Sequence, residues 1–228
     1  MGILVPLDGI STEGAQSRCS GETWITTLRQ SYRSKLPRTA FHGTYLYTVT
    51  VKTGSQGERV SISEELLAEF EVQAPVTRTF LERLPKDQLA WRPHPKSLTA
   101  GQLAYHLATV PGDVARTAQK DQVPPPNFAF PQPESLLQIL QAFEESIAIV
   151  REKLPTFDDH SMDQLWRIVA GNQEVLAMPR QALLRNIMLN HWYQHRGQFS
   201  VYLRLLNVAV PSSWGPSADE AVVFPPPS

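Results

Sequence analysis

The sequence predicts an all-α protein: a four-helix bundle with a long proline-rich crossover between helices 2 and 3 and a short hairpin before helix 4. Three observations carry this. Four stretches place apolar residues at alternating steps of three and four, the period of a helix face turned towards a core. They begin near Ser61, Thr99, Glu134 and Pro179, most of them at a recognisable start signal. Five prolines in 123–133 forbid a helix there and leave a link long enough for the next helix to lie anywhere in a bundle.

Composition narrows the class. The chain has 228 residues, enough for one domain with a sizeable core and an appendage. Apolar content of 42% and charged content of 19% fit a globular protein. A formal net charge of −1 gives no electrostatic reason to expect nucleic acid or an anionic membrane surface as a partner. The single cysteine, Cys19, excludes an intramolecular disulfide and a cysteine-rich zinc knuckle, and a reducing, cytoplasmic location is the simplest home. No apolar run approaches the length of a membrane span. The N-terminus lacks a basic region followed by an apolar core, and Pro6 stands where a myristoylation signal wants Ser or Thr.

Residues 1–60 read as a disordered or weakly structured extension, 61–222 as the bundle and 223–228 as a tail. The extension holds seven Lys/Arg against four Asp/Glu, whereas the remainder holds 14 against 18. No helical stripe can be followed through it, and only 44–51 alternates in the manner of a strand. Two other readings are a stretch upstream of the natural start and an organellar transit peptide; Asp8 and Glu13 argue against the latter.

The first helix opens on Ser61-Ile62-Ser63-Glu64, a capping-box pattern, and presents Leu66, Phe70, Thr77 and Leu81 with Leu67 and Leu84 beside them. Pro75 is expected to kink or split it. A proline-braced loop follows, in which Trp91 plugs the end of a core and His94 lies on the surface. The second helix starts at Ser97 or Thr99, where Thr99 and Gln102 offer another capping box, and its stripe is Leu103, His106/Leu107, Val110 and Val114. The third runs from about Glu134 with Leu136, Leu140, Phe143, Ile147, Val150 and Leu154 inward and no inward ionisable residue, so it forms a wall. Between 157 and 178, two short apolar runs flank Ala170-Gly171-Asn172 as a hairpin, with His160 in a solvated turn. Pro179 occupies the first position of the fourth helix, where a missing N–H costs nothing, and that helix runs to about Leu206. Beyond Asn207 a loop carries Trp214, expected to pack back onto the bundle.

Chemistry gathers on the fourth helix. Leu184, Met188, His191, His195, Gln198, Tyr202 and Leu206 form one stripe, so two histidines stand where a bundle buries leucine. Four residues apart, they lie on one helix face about 6 Å apart along the axis, a spacing that lets both imidazoles reach one ion. Two partly buried structural histidines explain the pair equally well. His106, again on an apolar stripe, is by itself more naturally a structural residue; joined to the pair, it completes the three-ligand count of an open catalytic metal site. The Glu-x-x-His pairs of ferritin-like di-iron bundles are absent.

Trp-x-Pro-x-Pro at 91–95, a helix with an inward histidine, a long crossover, another helix, His-x-x-x-His-Arg-Gly-Gln at 191–198 and Gly-Pro-Ser-Ala-Asp-Glu at 215–220 occur in that order. From about Ser61 to Glu220 this resembles the DinB-like (DNA-damage-inducible, YfiT-like) family. The resemblance implies a four-helix bundle, commonly a homodimer, with His106, His191 and His195 as ligands of a divalent metal. It also implies thiol-dependent transferase or isomerase chemistry with a small thiol cofactor in some members.

Three neutral imidazoles leave a dipositive ion with open positions, where water or a thiol binds with a lowered pKa. Nitrogen ligands suit Zn, Ni, Fe or Cu. The expected function is therefore a divalent-metal-dependent enzyme that activates a low-molecular-weight thiol (a transferase) or water (a hydrolase) against a small-molecule substrate. The alternative is a non-catalytic metal-binding bundle of a stress response. Tyr105, Asn190, Gln198 and Tyr202 are candidates to face the substrate, and only Gln198 and Tyr202 share the histidine stripe. Arg196 points about 100° away from it and is expected in a salt bridge or a dimer contact.

Overall fold

The computed structural model describes residues 16–20, 23–32, 43–52 and 60–220, with side chains over 60–220. Two units are distinguished, Met1–Arg59 and Val60–Ser228. In the first, β1 (Gln16–Ser20), β2 (Thr23–Tyr32) and β3 (Gly43–Lys52) pair antiparallel in sequence order. The alternating 44–51 stretch lies within β3, and pairing along the whole of β2, from Thr23↔Lys52 to Tyr32↔Gly43, supplies the neighbour that an isolated strand lacks. The rest of the expected extension, and the tail at 223–228, fall outside the described residues.

In the second unit the helix starts follow their caps. Ser61 accepts from the Glu64 N–H while the Glu64 carboxylate accepts from the Ser61 N–H, and α1 (Ile62–Glu82) follows. Pro75 does not split it. The ring sits on the exposed face, where solvent can serve the Glu71 carbonyl that has lost its N–H. Thr99 and Gln102 form the second capping box and start α2 (Ala100–Thr117). This helix holds a proline too, Pro111, and here it is buried.

Gln122–Val123 forms β4. The crossover runs from there to Ser135, whose hydroxyl caps α3 (Leu136–Lys153). That helix turns Ile139, Phe143, Ile147 and Val150 inward as the wall the sequence calls for, but also Ser146. A short α4 (Asp159–Asp163) follows, with His160 exposed on it rather than in a turn. Next comes the hairpin β5 (Leu165–Ala170) and β6 (Gln173–Pro179), closed by Gly171 at φ +61°, where the absence of a Cβ removes the strain. Gln122 and Val123 add to β5 in parallel, making three strands where the sequence predicts two.

The last helical segment is composite. Pro179 caps α5 (Arg180–Leu183), seven residues of π-helix occupy Leu184–Asn190, and α6 (His191–Leu205) completes it. The buried face of α6 is Trp192, Arg196, Phe199 and Leu203. The stripe read from sequence is buried at Leu184 and Met188 but on α6 lies one residue away from this face, with His191, His195 and Tyr202 half-buried and Gln198 exposed. Arg196 explains the difference, because its charge breaks an otherwise apolar row. It is only 2% exposed and donates to the Gln73 Oε1 at 2.7 Å and the Thr77 hydroxyl at 3.2 Å, with its guanidinium over the Tyr193 ring. The expected salt bridge or dimer contact is replaced by a buried link between α6 and α1.

Beyond α6, the Asp219 carboxylate accepts from the Val210 N–H and pairs with Arg204, while Glu220 accepts from the Ser212 N–H. These acids give the Gly-Pro-Ser-Ala-Asp-Glu motif a physical use: they tie the last loop to the bundle. Trp214 does not enter the core; 67% of it is exposed, and one edge meets the Tyr193 ring.

Candidate metal centre

Each histidine reaches the centre from a helix fixed by its own start. The Thr99–Gln102 cap starts α2 two turns before His106, and the Gln102 side chain also donates to the Phe130 carbonyl at 2.8 Å. That bond draws the crossover over the site, where the Phe130 ring stands edge-on to His106 at 5.2 Å. His191 and His195 are the first and fifth residues of α6. The three residues that the sequence singles out as ligands come together, with one ligand atom from each lying within 4.8 Å of the others. Bonds of about 2.0–2.1 Å to a tetrahedral ion would separate nitrogen ligands by roughly 3.4 Å, inside that limit.

The hydrogen bonds decide where the lone pairs point. Nδ1 of His195 is 2.8 Å from Oε1 of Gln198, so that nitrogen carries the proton and Nε2 is left as a lone pair. Nδ1 of His191 is buried and faces the Ile187 carbonyl without closing a hydrogen bond to it. A proton on that nitrogen suits the carbonyl, and it leaves the His191 Nε2 as a lone pair as well. The two Nε2 atoms lie 2.7 Å apart. With that proton placement the two lone pairs repel and a cation between them relieves the repulsion; with the proton on the His191 Nε2 instead, that N–H donates to His195 and a metal ion takes the proton's place. The donor set therefore fits a divalent ion.

Electrostatics agrees with the geometry. Burial pushes the His106 imidazole down to about 4, with the neighbouring His195 and His191 adding to the shift. Burial also lowers His191, again with help from His195, and lowers His195 against the opposing pull of Gln198. All three are held neutral, the form that ligates. Among the described residues no carboxylate or thiol joins the group.

A cleft of about 1080 Å³ runs from His106 and His191 along α2, walled by the crossover and the hairpin. Its lining mixes apolar residues such as Val110 and Met178 with Tyr105, Thr109 and Asp113. Tyr105 thus faces this space, as the sequence allows. Gln198 and Tyr202 do not line it: Gln198 holds His195, while the Tyr202 hydroxyl donates to the Leu98 carbonyl at 3.1 Å and its ring meets Trp91 edge-on. Asn190 is exposed and donates to Asn186. Sequence reasoning missed the crossover as a wall of the cleft, although Phe128 and Phe130 within a proline run were a signal of it. It also missed Thr109 and Asp113, which follow His106 at helical spacing.

Comparison with known proteins places the chain. The model of the DinB family matches residues 52–221, well over half of its length. The uncharacterized protein YrdA of Bacillus subtilis (strain 168) is 26% identical over 163 residues, which cover 71% of this chain and 93% of that one. The crystal structure of a DinB-like protein from Bacillus cereus ATCC 10987 shares the fold, with a TM-score of 0.54 and 23% identity over 66% of this chain and 97% of that one.

Proposed function

The chain belongs to the DinB family, and we propose that it is a divalent-metal-dependent enzyme whose metal is held by His106, His191 and His195. It would activate a low-molecular-weight thiol for transfer, or water for hydrolysis, against a small molecule in the adjoining cleft. The observation that carries this reading is the pair of facing Nε2 atoms 2.7 Å apart, with His106 completing a neutral, carboxylate-free triad. A Zn, Ni or Fe ion bound there supplies Lewis acidity, bringing the pKa of a bound water or thiol towards neutrality.

The chain's own residues supply the rest. Gln198 fixes the tautomer and rotation of His195. Phe130 shields one flank of His106 from solvent. Tyr105 and Thr109 offer hydroxyls to a ligand lying along α2, and the apolar lining favours a substrate with a non-polar body. The single cysteine, Cys19, lies outside the stretch that matches the family, and the scheme takes its thiol from a free small molecule. A homodimer belongs to the proposal on family resemblance alone.

The test is to strip the purified chain with chelator, reload Zn, Ni or Fe, and screen small thiols against electrophiles alongside ester and amide hydrolysis. Turnover that follows metal loading and disappears in H106A supports the reading. A tightly held metal with neither chemistry, whose removal unfolds the protein, supports the non-catalytic metal-binding bundle instead.

A further inference from the structure

Trp192 follows His191 and is fully buried; Leu107 follows His106. The indole N–H of Trp192 donates to the Leu107 carbonyl at 2.8 Å. In an uninterrupted helix that carbonyl would accept from the residue four positions on, but here that residue is Pro111, which has no N–H. The next N–H, of Gly112, donates to the Ser146 hydroxyl on α3 at 2.8 Å. The ladder of α2 thus has a gap just beyond His106, filled by the Trp192 side chain from α6, with Ser146 of α3 bonded beside it. Trp192 is itself held in rotation by the Phe70 ring, stacked at 5.3 Å, and by Phe143 at 6.4 Å.

We propose that Trp192 is a positioning residue for the triad: its hydrogen bond to the Leu107 carbonyl, made in the gap that Pro111 opens, sets His106 against His191 and His195. This rests on the metal reading above. The helix fixes His191 and His195 relative to each other, which leaves the placement of α2 against α6 as the freedom that governs the third ligand. A slip of one residue along a helix is about 1.5 Å, whereas metal–ligand distances tolerate about 0.2 Å. A buried hydrogen bond between the residues next to two of the ligands removes that slip. The π segment contributes at the same point, because the His191 N–H bonds to the Asn186 carbonyl, five residues back, and so sets the phase in which His191 and Trp192 emerge.

The experiment is titration of the full chain with Zn(II), and with Co(II) followed by visible absorption, for wild type, W192F and P111A. W192F keeps a ring in the core and loses the N–H; it should bind both ions about 10–100-fold more weakly, the range typical of partners that orient ligands, with an altered Co(II) spectrum. P111A restores a backbone N–H that competes for the Leu107 carbonyl. It should melt at or above the wild-type temperature yet bind at least about tenfold more weakly, a divergence that a purely structural tryptophan does not produce. If W192F fails to fold, P111A decides. Wild-type affinity and an unchanged Co(II) spectrum in the folded variants overturn the inference alone. Absence of binding in the wild type overturns it together with the metal reading.

Discussion

A proton and a metal ion would compete for the same lone pairs on His106, His191 and His195, and burial works against the proton. For His106 the folded value, about 4, lies below the ordinary 6.5. Between those values the unfolded chain binds more protons than the folded one, so stability rises with pH across the window and levels off above it. Metal-free protein should therefore melt progressively higher from pH 4 to 6.5, and H106L should flatten that slope in a series of melts with chelator present. Q198A removes the acceptor that orients His195 and should weaken Zn(II) binding about 10–100-fold with little change in fold, as measured by competition with a chromophoric chelator. The three histidines were legible as a group because an imidazole on an apolar stripe is conspicuous. Arg196 was misread for the opposite reason: a buried guanidinium satisfied by Gln73 and Thr77 cannot be told from a surface one by spacing.

Helix starts were the most readable elements, since the Ser61 and Thr99 capping boxes are local chemistry that needs no tertiary partner. S61A should cost about 1 kcal/mol in chemical denaturation. Interruptions were harder to see. Pro75 and Pro111 look alike in the sequence, yet one lies on the exposed face and the other is buried just beyond His106. Only the partners Trp192 and Ser146, remote in sequence, distinguish them. The π segment likewise leaves no mark in residue order. Close packing at the same break gives a sharp test. A Cβ on Gly112 would sit 2.8 Å from the Ser146 Cα and 2.9 Å from its hydroxyl. G112A should thus destabilise the bundle by about 1–3 kcal/mol through overpacking of α2 on α3, despite the gain in helix propensity.

At the largest scale, the buried core among the described residues runs from Leu66 to Val210. The family match begins at residue 52, and the contact pattern divides the chain at Arg59 and Val60. We therefore expect a chain shortened to begin at Val60 to keep a cooperative melt and its metal affinity; loss of either would make the first unit part of the functional protein. No helix among the described residues is long and apolar enough to cross a membrane. The central claim is that three histidines from two helices hold one metal ion. It is tested most directly by the metal content, after dialysis against Zn(II), of untagged wild type and of H106A, H191A and H195A, each checked for fold by circular dichroism. One equivalent of metal in the wild type, and far less than one in each variant, is the predicted result. Full occupancy in all three folded variants would contradict it.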